Sequence, residues 1–140
     1  MDDECRLLID SEHDILTARQ RGRELAEEVG FTGSDLTIFA TAISEIARNI
    51  VQYAERGEIT IGVVRDGERP GIVVVARDEG PGIPDVEQAM QDGYSTGRSL
   101  GLGLPGARRL MDEFDLRSTA GEGTTVTMKK WMRTPTKPAR

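Results

Sequence analysis

Apolar residues recur along this chain with two periods, and the change of period marks out its elements. Cys5-Arg-Leu-Leu-Ile9 predicts a short first strand. Ser11 then stands as N-cap to a helix over about Glu12 to Val29, where Ile15, Ala18, Gly22, Leu25 and Val29 fall at helical spacing and Gly30 supplies the stop. A second helix is predicted from Ser34 or Asp35 to about Arg56. Leu36, Phe39, Ala40, Ile43, Ile46, Ala47, Ile50 and Ala54 mark its buried stripe, and Gly57 ends it. Glu58 to Arg65 switches to alternation, with Ile59, Ile61 and Val63 on one side. Asp66-Gly67 signals a turn, and Ile72 to Ala76 forms a run suited to a buried strand, so the two predict a hairpin.

Beyond Arg77 the texture changes. Asp78-Glu-Gly-Pro-Gly-Ile-Pro84 reads as a loop, and Asp85 as the cap of a short helix to about Gln91. From Asp92 to Gly103 the chain is rich in Gly, Ser and Thr without apolar periodicity. Pro105 is placed for the first turn of a helix ending near Asp112. Phe114 to Ser118 and Thr124 to Trp131 predict two strands joined by Ala120-Gly-Glu-Gly123, and the last eight residues, from Arg133, predict a disordered basic tail. Helices first and a sheet afterwards, with no repeat and no second domain, give an α+β class with one domain over 1–132.

Composition narrows the function classes. At 140 residues with 37% apolar and 30% charged residues, the chain can bury a core without staples. It has no apolar run approaching the ~20 residues of a membrane span, and an acidic start, Met1-Asp-Asp-Glu4, unlike a signal peptide. With one cysteine (Cys5) and one histidine (His13), internal disulfides, zinc sites and Cys/His catalysis lack parts, and a cytoplasmic setting without membrane partners is expected. Residues 1–128 hold 13 arginines against 24 acids, a balance of −11, which disfavours nucleic acid as a partner. The same 128 residues contain no lysine. A P-loop, or the strand lysine of ordinary protein kinases, is therefore excluded. Any bound nucleotide must have its phosphates neutralised by glycine backbone amides and a metal.

Four segments carry candidate chemistry. Glu45 and Asn49 lie one turn apart on the second helix, about 200° and 240° from Ile43 at 100° per residue. They read either as a solvated polar face or as a carboxylate that takes a proton beside an amide oxygen that holds Mg²⁺. Asp78, where a buried strand meets a Gly-Pro-Gly loop, either opens a turn or accepts a hydrogen bond from an exocyclic amine such as that of adenine. Gly80 and Gly82 would then let backbone approach the ring. Leu100-Gly101-Leu-Gly103-Leu-Pro-Gly106 precedes a helix, a setting that attracts phosphate. Its Gly101-x-Gly103-x-x-Gly106 spacing does not follow a first buried strand, which argues against a dinucleotide-binding fold. Gly121-Glu-Gly123-Thr124 reads as a tight hairpin or as a hydroxyl near a nucleotide.

Taken in order, Glu45-Ile-Ala-Arg-Asn49, Asp78-Glu-Gly-Pro-Gly82, Gly101-Leu-Gly103-Leu104 and Gly121-Glu-Gly123-Thr124 resemble the four nucleotide-binding boxes of the GHKL ATPase/kinase superfamily. Thr17-Ala-Arg-Gln20, Ser44-Glu-Ile-Ala-Arg-Asn-Ile50, Asp92-Gly-Tyr-Ser-Thr96 and Leu104-Pro-Gly-Ala-Arg-Arg-Leu-Met-Asp-Glu-Phe114 look more specifically like RsbT-type serine/threonine kinases of bacterial stress signalling. Arg98 departs from that pattern, where small residues are expected.

The resemblance implies a Bergerat-type two-layer sandwich, a mixed sheet with helices on one face and ATP between helix and lid. It would make Glu45 the general base and Asn49 the Mg²⁺ ligand. Asp78 would hold the adenine amine, with Gly80, Gly82 and Thr124 lining its pocket. Gly101, Gly103 and Leu104, at a helix start, would meet the phosphates, and residues 92–103 would form the lid. The implied activity is ATP-dependent phosphorylation of STAS-domain partners, with release from a large stress complex and activation of a PP2C-type phosphatase. The alternatives are an RsbW-type anti-sigma factor kinase and an ATP-gated binding module with little catalysis. RsbW-type proteins typically lack a pair like Arg48-Asn49.

Overall fold

The computed structural model describes residues 4–82, 103–119 and 121–132. Among these residues five strands, β1 (Cys5–Ile9), β2 (Gly57–Asp66), β3 (Arg69–Asp78), β4 (Glu113–Thr119) and β5 (Gly123–Trp131), form one sheet in the order β1-β2-β3-β5-β4. Among the described residues three helices, α1 (Glu12–Val29), α2 (Ser34–Tyr53) and α3 (Gly103–Leu110), accompany it. The expected helix to Gln91, the lid segment apart from Gly103, and the basic tail lie outside the described residues.

The layering follows from strand parity. Ile59, Ala76, Val126 and Leu116 are mutual cross-strand partners, and Ile61, Val74, Met128 and Phe114 form the next such row. Because side chains alternate between faces, both rows lie on one side of the sheet. There they join Ile15, Ala18 and Leu25 of α1, Phe39, Ile43, Ile46 and Ile50 of α2, and Leu104 and Ala107 of α3 in a single core. The opposite face carries Arg77, Asp115 and Arg117 to solvent.

The sheet corrects one expectation. It is antiparallel at all four pairings, not mixed. Two helices lie between β1 and β2, so the chain goes back along the sheet, returns, and enters β2 opposed to β1. A single helix crossover would have given a parallel neighbour. β4 runs in the direction of β3, yet β5 is inserted between them, so no parallel pair of neighbours forms.

Helix α2 also stops three residues earlier than expected, at Tyr53, with the Ala54 N–H bonded to the Ile50 carbonyl at 2.8 Å. Gly57, expected to end the helix, is the first residue of β2. The left-handed residue that turns the chain is Glu55, at φ 73°. A non-glycine residue there costs roughly 1–2 kcal/mol. Glu55→Gly is therefore expected to raise stability by about 1 kcal/mol, read as a higher urea midpoint at unchanged slope. An unchanged or lower midpoint would show that the turn is not strained.

Candidate functional site

Connectivity gathers the candidate residues at one end of the sandwich. β3 ends there at Asp78, β5 begins there at Gly123, and α2 arrives there to feed β2 at Gly57. Gly57, Asp78, Thr124 and Ser118 are cross-strand partners in a single row, on the same face as the core rows. The row is the polar continuation of an apolar face, directed at the C-terminal half of α2.

At this end Asp78 is half-buried, and one carboxylate oxygen, Oδ1, accepts the Gly80 N–H at 2.9 Å. That bond closes a tight turn and leaves Oδ2 for another donor. A Cβ on Gly80 would lie 2.7 Å from the Ala54 Cβ, so only glycine lets this loop lie against the end of α2. Gly123, at φ 128°, has an even tighter neighbour: a Cβ there would run into the backbone carbonyl of Asp78. The Gly121 N–H donates to the Pro81 carbonyl at 2.8 Å, tying the loop after β3 to the β4–β5 turn. Gly82 belongs to the same loop, with φ 81°.

Thr124 is buried, and its Oγ1 lies 3.0 Å from the Ser118 hydroxyl. Ser118 also donates to the Gly123 carbonyl at 3.2 Å. With that proton committed, Thr124 can donate to Ser118 and keep lone pairs available on the Asp78 side. Ser118 was not singled out from the sequence. The alternation Phe114, Leu116, Ser118 was the signal that could have placed it on the inner face.

Glu45 and Asn49 lie further down α2. Their angular positions suggested a solvated face as one reading, but Glu45 is only 5% exposed and Asn49 is half-buried. Helix α2 lies on the sheet with α1 packed against it, and α3 packs against it as well. Burial therefore extends around the helix to Ala42, Ser44 and Glu45, with the Ser44 hydroxyl returned to the Ala40 carbonyl at 3.0 Å. Helix α3 opens at Gly103, and its Leu104 side chain is buried in the core, so at Leu104 only backbone remains to face a ligand. Gly101 and Arg98 lie outside the described residues. Eight residues of α3 rise about 12 Å from the β4 end, and Glu45 stands about 15 Å along α2 from Asp35. The Asp35 carboxylate marks that same end, 3.9 Å from the Lys130 ammonium. The first turn of α3 thus comes about level with Glu45, with Asn49 about 6 Å further along α2.

Asn49 offers one hard oxygen. Among the described residues no group of three or more His, Cys, Asp or Glu could hold a metal alone. This donor set fits a Mg²⁺ ion shared with phosphate oxygens better than a dedicated protein cage. No helix among the described residues is long and apolar enough to cross a membrane.

Comparison with known proteins identifies the family of the chain. Residues 10–130 match the histidine kinase-like ATPase domain family. The chain is 51% identical over 133 residues to the serine/threonine-protein kinase RsbT of Bacillus subtilis (strain 168), covering 95% of this chain and all of that one. It is 33% identical over 114 residues to the anti-sigma F factor of Caldanaerobacter subterraneus subsp. tengcongensis, covering 76% and 78% of the two. The crystal structure of the RsbU and RsbW domains of Rv1364c from Mycobacterium tuberculosis superposes with a TM-score of 0.62 at 22% identity. That match covers 91% of this chain and about a third (32%) of the other, and it supports the fold alone. The same α+β sandwich and near-complete alignment with a serine/threonine kinase lead to one assignment: the chain belongs to the histidine kinase-like ATPase family, in its RsbT-type serine/threonine kinase branch.

Proposed function

We propose that this protein transfers the γ-phosphoryl group of ATP to serine or threonine hydroxyls of STAS-domain partner proteins, as one ATP-binding unit spanning 1–132 in the bacterial cytoplasm. In this reading it acts as a switch in stress signalling, leaves a large stress complex and then activates a PP2C-type phosphatase by binding it. The observation that carries the proposal is the Glu45–Asn49 pair. It sets a buried carboxylate one helical turn from a hard-oxygen ligand, beside a helix N-terminus, in a chain 51% identical to a named serine/threonine kinase.

Each residue has a defined task. Asp78 accepts the adenine amine on Oδ2, while its Oδ1 holds the Gly80 turn in shape. Gly80 and Gly82 leave space beside the ring, and Thr124 supports the pocket directly or through water. Gly101 and Gly103, with the backbone at Leu104, meet the phosphates, where helix N–H groups favour negative charge. Asn49 would hold Mg²⁺, which when bound offsets negative charge on the phosphate oxygens. Glu45 takes the proton of the acceptor hydroxyl as that oxygen bonds to the γ-phosphorus. The bond from phosphorus to the β–γ bridging oxygen breaks, and ADP leaves with its electron pair. Such transfers depend mainly on positioning and charge stabilisation, and no lysine is needed for either.

Incubation with γ-labelled ATP, Mg²⁺ and purified STAS-domain proteins tests the proposal, with label expected on protein serine or threonine. Label released only as inorganic phosphate would overturn it. Asp78→Asn tests the adenine contact separately. A charge-assisted bond contributes about 1.5–3 kcal/mol, so ATP affinity should fall about tenfold to a hundredfold in calorimetry. Parental affinity in that variant would remove the assignment. The matches to anti-sigma F factors favour a second reading, an anti-sigma kinase. That reading requires a stable complex with a sigma factor, which a pull-down would recover.

A further inference from the structure

Arg48 holds a polar atom that the described residues leave unserved. Its Nε is buried, and no hydrogen bond reaches it among the described residues. The residue as a whole is only half-buried, so part of the side chain stays open to a ligand. A guanidinium N–H shielded from water without an acceptor is costly and uncommon, and such groups are normally completed by something that binds. On the helix surface Arg48 is three residues after Glu45. It lies about 60° to one side of that carboxylate, with Asn49 about 40° to the other. The three side chains form one patch with Glu45 at its centre.

Position along the helix says which part of a nucleotide the patch would meet. Gly80 packs against Ala54, which fixes the adenine end of the site at the C-terminus of α2. Measured back from Ala54 at 1.5 Å per residue, Asn49 stands at about 7–8 Å, Arg48 at about 9 Å and Glu45 at about 13–14 Å. Long helical side chains lean toward the helix N-terminus, which carries the guanidinium from Arg48 toward Glu45. The order from the base is therefore metal ligand, cation, proton acceptor. An arginine between the metal ligand and the group that deprotonates the nucleophile stands where the transferred phosphorus must be. The lysine-free stretch to residue 128 leaves arginine as the side chain able to place a fixed positive charge there.

We infer that Arg48 is a γ-phosphate ligand: its Nε–H donates to an equatorial oxygen of the phosphoryl group, distinguishing ATP from ADP and offsetting the charge on that group during transfer. The inference rests on the proposed ATP site and deepens it. Arginine suits the role better than lysine because its planar fork fixes the direction of each N–H.

The test measures Kd for ATP and for ADP, each with Mg²⁺, by calorimetry on the parent chain, Arg48→Gln and Arg48→Lys, with thermal melts as a control on folding. Arg48→Gln should weaken ATP about tenfold to a hundredfold and change ADP less than about twofold. Arg48→Lys should recover part of the ATP affinity through charge, without restoring the transfer rate. A merely structural arginine would shift both nucleotides together. An unchanged ATP-to-ADP ratio in Arg48→Gln overturns the inference while leaving the ATP site standing. So does an effect confined to KM for the protein substrate, which would mark Arg48 as a partner contact. A parent chain that binds neither nucleotide overturns the ATP site and this inference together.

Discussion

Glu45→Gln is expected to lower phosphoryl transfer to protein about a hundredfold to ten-thousandfold while ATP binding stays within about twofold of the parent. The substitution keeps shape and removes basicity, and general-base removal costs effects of that size. Retained binding is expected because the proposed contacts to adenine, from Asp78 and Thr124, lie near the far end of α2, about 13 Å along the helix from Glu45. The measurement is single-turnover transfer from γ-labelled ATP to a STAS-domain partner at saturating nucleotide, beside a calorimetric Kd. Near-normal transfer by Glu45→Gln would show that Glu45 is not the base. It would also shift weight to a module whose output is ATP-gated partner exchange. Loss of both binding and transfer would instead make the buried carboxylate a structural group.

Gly123→Ala is expected to cost about 2–4 kcal/mol of stability and to weaken ATP binding at the same time. Two effects add. Alanine is strained at φ 128°, and its Cβ would drive into the carbonyl of Asp78, which is backbone and cannot rotate away. Relief requires β3 to separate from β5 where Asp78 and Thr124 pair, so strain is converted into misplacement of the proposed adenine contact. Urea unfolding and ATP calorimetry on one preparation check both. An unchanged midpoint with parental affinity would show that the two strands do not approach this closely.

These expectations draw unequally on sequence and structure. The β1 strand, the 12–29 helix, the Asp66-Gly67 hairpin turn and the inner-face residues Ile59, Ile61 and Val63 of β2 were legible because period and turn chemistry are local properties. Pro105 likewise belongs to the first turn of α3, as its place in the chain implied. The end of α2 was less legible. Gly57 resembles a helix stop, but the space it needs lies beside Arg77 and Asp78, on a strand twenty residues away. The mixed sheet failed for a related reason. Neighbouring strand directions depend on how many helices intervene and where β5 inserts, and neither is written in the alternation of any one strand.

The candidate site shows the same division. Sequence alone determined the residue types and their order: a carboxylate and an amide one turn apart, an aspartate before a glycine loop, and glycines ahead of a helix, in a chain without lysine before residue 129. Those features follow from covalent spacing. Only the tertiary structure decided that Glu45 is buried and not solvated, since helical periodicity records one buried stripe and cannot report that α3 packs against α2 too. Tertiary structure likewise decided that Ser118 joins Asp78 and Thr124 in one row and that the Nε of Arg48 is shut away from water. Burial and pairing are sums over neighbours distant in sequence, so they exist only after the chain has closed on itself.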